Sequence, residues 1–216
     1  MHKLLHILSQ ACSIVLHPLL MPSYGIMLLF AYIYLSQQDE PTQFVLMVYS
    51  GIALAGTTLL TLLIPLGVIL LMWKLKHIDS MHIENSKQRT APYIYTIMAY
   101  AVWIYFLHSI VHLPKIVVLI AMGSCLAIVV VTIINLWWKI SAHLTGIGGL
   151  IGGICAYALH SHHMPLTALT LLAIASLVLM YARLYLNAHT PLQVTCGMLL
   201  GILCTFTPPI LVTSYA

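Results

Sequence analysis

Apolar residues run nearly unbroken over stretches of twenty or more positions, and short polar clusters separate the runs. The runs do not alternate between apolar and polar positions, which excludes a spanning β-barrel. Most are long enough for a helix to cross a bilayer, which takes about 20 residues. The pattern predicts helices over 11–35, within 43–73, and over 90–111, 116–138, 144–159, 166–186 and 191–212. Pro18 and Pro22 interrupt the first run and remove backbone donors, so a kink or a re-entrant start is expected there. The second run exceeds the bilayer requirement, so tilt, a kink at Pro65 or an overhang is expected. Pro208 and Pro209 are expected to fray the end of the last run. In the fifth run Gly148 and Gly152, like Gly149 and Gly153, have the spacing that lets helices approach closely. The expected fold is all-α: one polytopic membrane bundle of about six to seven transmembrane helices over 1–216, with no internal repeat or linker.

Composition agrees with this pattern. The 216 residues are 62% hydrophobic and only 6% charged, too little polar surface for a water-soluble domain of this size. The net charge of +4 comes from singly scattered cations, so no nucleic-acid partner is expected. Cys12, Cys125, Cys155, Cys196 and Cys204 all lie in apolar runs, and their odd number and wide spacing suit neither a disulfide framework nor a zinc site. The first run is too long for the apolar region of a cleavable signal.

The polar residues are few enough to interpret one by one. Arg183 ends one apolar run and His189 opens the next. Six residues apart on one helix they would point to different faces, so a break is expected between them. Asn187 favours a cap, and Pro191 is tolerated in a first helical turn. His189 then stands at a helix N-terminus, where backbone N–H groups and the dipole favour an anion. A snorkelling Arg and a capping His are the plainer alternative.

Counting spans puts three distant clusters on one membrane face. They are Lys87-Gln88-Arg89, Ser141-Ala142-His143, and Arg183 with His189. Arg forks match phosphate oxygens and Lys adds a point charge. Ser adds a hydroxyl donor. One His can attack phosphorus while the other protonates the leaving oxygen. The last two clusters contain no carboxylate, which favours covalent catalysis without a metal ion or other cofactor.

These residues resemble the signatures of the type-2 phosphatidic acid phosphatase superfamily, integral membrane lipid phosphatases related to soluble acid phosphatases and vanadium haloperoxidases. The third signature is Ser-Arg, five residues, His, three residues, Asp; the chain has Ala182-Arg183, then His189, then Gln193. The second, Pro-Ser-Gly-His, appears as Ile140-Ser141-Ala142-His143. The first, Lys, six residues, Arg-Pro, appears compressed as Lys87-Gln88-Arg89-Thr90-Ala91-Pro92; an alternative register from His82 to Arg89 loses the lysine. The resemblance covers roughly 74–201. It implies His189 as nucleophile, forming a phosphohistidine, and His143 as general acid. It also implies Lys87, Arg89, Ser141 and Arg183 as phosphate ligands, helped by the Ala142 N–H.

Gln193 stands where the family has Asp. It can accept a hydrogen bond from the imidazole but cannot balance charge on it. Ala142 stands where the family has Gly, restricting backbone approach to phosphate. Two functions therefore stay open. One is a phosphohydrolase acting on an isoprenoid or glycerolipid phosphate or pyrophosphate, with Glu84 as a carboxylate it could recruit. The other is a catalytically weak or inactive lipid-phosphate binding or transport protein on the same scaffold. A membrane assembly factor whose polar face docks a partner is a third class. The expected partners are a membrane lipid phosphate and the bilayer, in a bacterial-type inner membrane. Lys3, Lys74, Lys76 and Lys139 lie on the site face against Lys115 alone on the other, which points that face to the cytoplasm; the family's bacterial members usually open to the periplasm. The His160-Ser161-His162-His163 run is expected to be a solvated turn. His17, His108 and His112 sit near span ends, as paired haem ligands would, but no haem-attachment motif accompanies them.

Overall fold

The computed structural model describes residues 2–36, 40–78, 86–162 and 164–214, and all side chains within them except those at 35, 36, 40–44, 46, 86–89, 213 and 214. The helices are α1 (His2–Val15), α2 (Met21–Ser36), α3 (Glu40–Thr58), α4 (Ile64–Lys74), α5 (Ser86–Tyr105), α6 (Lys115–Ile134), α7 (Ala142–Ser161), α8 (Leu166–Tyr185) and α9 (Pro191–Ser214). Among the described residues there is no strand, and seven helical stretches are long and apolar enough to cross a membrane. The chain is an all-α, polytopic membrane bundle.

Its solvation is inverted relative to a water-soluble protein. Thr57, Thr61, Ser141 and Thr205 are at 0% exposure, while Leu166, Leu177, Trp137 and Leu203 are exposed by 60% or more. In hydrocarbon a polar group gains by facing another helix, and Leu gains nothing by hiding. The Trp103 indole N–H accordingly donates to Thr57 Oγ1 at 2.9 Å, tying α5 to α3.

The first span departs most from expectation. The helix does not run through 11–35; it stops at Val15. His17 is extended (φ −67°, ψ 138°), Pro18–Leu20 forms a 3-10 turn, and α2 starts at Met21. The cause is Pro18, which disfavours helical backbone in the residue before it. The freed helix α1 crosses the end of α8. Tyr185 OH donates to His2 O at 3.2 Å, and Arg183 Nη1 donates to Ser13 Oγ at 3.3 Å. Two α1 residues eleven apart thus meet two α8 residues two apart, so the helices cross rather than run side by side. Ser9 and Ser13 are buried against the protein, whereas Leu4, Ile7, Leu8 and Ile14 are exposed by 52–70%. A helix with its serines inward and its leucines outward suits a bilayer interface.

Elsewhere the prolines act differently from expectation. The disturbance near Pro65 is a π-helical turn at Leu59–Leu63, the form such disturbances often take in helices. Pro208 and Pro209 do not fray α9, which runs on to Ser214. Two missing N–H groups cost less in lipid than unwinding a segment whose other backbone groups have no water to turn to.

The helices α7 and α9 meet backbone to backbone. A Cβ added at Gly148 or Gly152 would strike the Met198 or Ile202 carbonyl, and one added at Gly197 or Gly201 would strike the Ser141 or Thr145 carbonyl. The expected small-residue spacing on α7 is thus matched by a second such pair on α9. Gly153 faces the other way, toward Ile120 of α6.

Candidate active site

Arg183 sits in the last turn of α8, and the chain behind it closes in a Schellman motif. Asn187 N–H donates to Leu184 O at 3.0 Å and Ala188 N–H to Arg183 O at 3.1 Å. Asn187 takes the left-handed conformation, φ 50°, which this motif requires at the residue past the cap. Asn187 therefore ends α8 and does not cap α9.

The start of α9 is a capping box, Thr190-Pro191-Leu192-Gln193. Gln193 N–H donates to Thr190 Oγ1 at 3.4 Å, and Thr190 N–H donates back to Gln193 Oε1 at 3.1 Å. The same Oε1 lies 3.1 Å from His189 Nδ1. Because this oxygen accepts from a backbone N–H, it can only accept from the imidazole as well. Nδ1 therefore carries the ring proton, and Nε2 of the neutral ring presents a lone pair. The neutral Gln193 side chain thus holds the Nδ1 side of the His189 ring.

Ser141 is the N-cap of α7, its hydroxyl accepting Leu144 N–H at 3.5 Å. It is fully buried and does not line the cavity described below. The expected phosphate-ligand role thus finds no support in its position; its hydroxyl serves the helix. Ser141 N–H donates to Gln193 O at 3.3 Å, which joins the second signature directly to the third. His143 Nε2 lies 3.1 Å from Ser13 O. A carbonyl only accepts, so Nε2–H donates and Nδ1 is the nitrogen left for proton exchange.

The bond to His143 completes the cap of α1. A helix leaves its last four carbonyls without partners of its own. Cys12 O takes Leu16 N–H and Ile14 O takes His17 N–H. Val15 O takes Tyr24 OH, and Ser13 O takes His143. The negative end of α1 is thus directed at a histidine and, through the Ser13 hydroxyl, at Arg183, which offsets part of the cost of positive charge there.

Ala142, His143, Arg183 and His189 line one cavity of about 720 Å³. From this polar mouth it runs between α2, α5, α6 and α7 past Tyr100, Trp103 and Ala127 to Met164 and Leu166 near the other membrane face. Its walls are mainly apolar. Leu144, Ile147, Leu179 and Val194, from α7, α8 and α9, are at 0% exposure and pack in one apolar cluster.

The first signature is only partly visible. Lys87 and Arg89 lie on the first turn of α5, but their side chains lie outside the described residues, as do His82 and Glu84. Pro92 of the same signature lines the cavity. Of the other histidines, His108, His112, His160 and His162 are exposed, and His163 lies outside the described residues. Sequence reasoning missed His17, which lines the cavity beside His143. The signal was present in the His17-Pro18 pair, an ionisable residue at a helix break inside an apolar run.

The five cysteines are free thiols. Compared with protein-family models, with curated proteins and with solved structures, the chain matches none.

Proposed function

We propose that this chain is an integral membrane lipid-phosphate phosphohydrolase that works through a phosphohistidine at His189. The observation that carries the reading is the His189–Gln193 contact of 3.1 Å, made at the mouth of an apolar cavity that Arg183 and His143 share. A histidine that serves only as a cap does not need its Nδ1 proton held, nor a cavity shared with a guanidinium.

In the first half-reaction the His189 Nε2 lone pair attacks phosphorus. The N–P bond forms, the P–O bond to the lipid breaks, and the leaving oxygen takes a proton from Nδ1 of protonated His143. In the second, water attacks phosphorus and gives its proton back to His143. The N–P bond breaks and inorganic phosphate departs. Arg183 pairs with the phosphoryl oxygens, and Lys87 and Arg89 are proposed to join it from α5. The cavity takes the lipid chain, so the substrate enters sideways from the bilayer. The lysine bias favours a cytoplasmic site face, and the proposed setting is a bacterial-type inner membrane.

The test is phosphate release from lipid phosphates by purified protein without added divalent metal. His189→Ala should abolish it while leaving the protein folded. Full activity of that variant, or no release from any lipid phosphate, defeats the reading. A second reading, a lipid-phosphate binder without turnover, is favoured by one observation: Gln193 brings no charge to His189. It predicts stabilisation by vanadate with no phosphate release.

A further inference from the structure

His17 belongs to none of the three phosphatase signatures, yet it stands inside the site they form. Its ring centroid is 5.3 Å from that of His143, the planes at 81°, and it lines the cavity with Arg183 and His189. The break after α1 puts it there, because Pro18 holds His17 extended between two helices.

The ring has one nitrogen committed and one not. Leu19 N–H donates to His17 Nδ1 at 3.3 Å. A backbone N–H cannot accept, so Nδ1 is the bare nitrogen and Nε2 carries the proton. Among the described residues that Nε2–H has no hydrogen-bond partner. Capping the 3-10 turn uses Nδ1 alone, and Ser or Asn does that commonly. What imidazole adds is a second donor on the far side of the ring. His143 has already given its own Nε2–H to Ser13 O.

We propose that His17 is a third histidine of the headgroup site, donating Nε2–H to a phosphoryl oxygen of the bound lipid phosphate while Nδ1 holds the turn. The proposal rests on the phosphohydrolase reading. The position makes α1 and its connection part of the reaction machinery, beyond the stretch the signatures cover. A donor to oxygens that gain charge in the transition state affects kcat as well as binding.

The experiment uses full-length protein in detergent with orthovanadate as the probe. His17→Asn keeps an oxygen for Leu19 N–H and removes the distal donor. His17→Gln reaches further with an amide N–H. Affinity for vanadate should fall about 10- to 100-fold in His17→Asn, the range for a hydrogen bond to a charged group. The kcat should fall with it, the thermal midpoint without vanadate should hold, and His17→Gln should recover part of the loss. Wild-type affinity in His17→Asn, with wild-type protein still binding vanadate and releasing phosphate, overturns the role of His17 and spares the phosphohydrolase reading. If neither variant folds, wild-type protein with ¹⁵N-labelled histidine decides. A His17 Nε2 resonance unmoved by saturating vanadate overturns the proposal. Wild-type protein that neither binds vanadate nor releases phosphate overturns the phosphohydrolase reading, and the role of His17 with it.

Discussion

Replacing Gln193 separates its two duties. Its Oε1 accepts Thr190 N–H and His189 Nδ1–H, each at 3.1 Å. Gln193→Leu keeps the bulk and removes both. Losing the capping bond costs about 1 kcal/mol, which lowers the thermal midpoint by about 2–4 °C for a chain of this size. The catalytic loss can be bracketed. If only the energy of a neutral hydrogen bond, about 0.5–1.5 kcal/mol, were missing at the transition state, kcat would fall roughly 2- to 13-fold. If the wrong tautomer were imposed, the fall could approach ~10⁴. Leucine imposes no tautomer, so the expected fall lies at the lower end, roughly 2- to 13-fold, with KM nearly unchanged. Gln193→Glu keeps both acceptors and adds charge. Charge-assisted bonds are roughly twice as strong as neutral ones, so its kcat should equal or exceed that of the wild type. The assay is release of inorganic phosphate from lipid phosphate in mixed micelles, with a thermal melt run alongside. A folded Gln193→Leu protein with wild-type kcat, or a Gln193→Glu slower than Gln193→Leu, refutes the orienting role.

Other expectations follow from the same geometry. Gly201→Leu forces a side chain against the Thr145 carbonyl, whereas a Cβ at Gly67 meets nothing within 4 Å; overpacking should cost the first at least about 1–3 kcal/mol and the second little, and equal thermal midpoints would contradict the backbone seam. In a cysteine-free background, His77→Cys and Lys115→Cys should differ toward an impermeant maleimide in intact spheroplasts, only position 115 labelling; labelling at 77 alone reverses the proposed sidedness. A fluorophore at Leu8, on the exposed apolar face of α1, should be quenched by lipid-borne quenchers in vesicles and little by aqueous iodide; the opposite result removes α1 from the interface.

The spans were legible because immersion in lipid demands uniform apolarity, and sequence displays uniform apolarity directly. The glycine seam was half legible: Gly148 and Gly152 announced a close approach, but nothing along the chain told that α9 would answer with Gly197 and Gly201. Arg183 and His189 could be placed because a break had to separate them. The partners of the site residues could not. Ser13 contributes a backbone carbonyl to His143, and every residue has one, so no residue type signals the bond. Ser141 was ambiguous for a related reason: a serine before a helix suits both a cap and an anion, and its residue type does not tell the two apart. His17 was passed over because its partner in space, His143, lies 126 positions away.

The break at His17 also makes the bundle uneven across the bilayer. With α1 lying at the interface, the first crossing is left with the 3 residues of the 3-10 turn and the 16 of α2, about 30 Å of helix at most. The second crossing has 28 residues, about 42 Å. No single membrane thickness matches both lengths, so lipid beside α2 and α1 must be thinner than lipid beside α4, or the longer helix must tilt. Acyl-chain length then becomes a variable that acts on the position of α1, and through Ser13 on Arg183 and His143. In vesicles of defined chain length, phosphate release should pass through an optimum, where the bilayer lets α1 rest on α8 without strain.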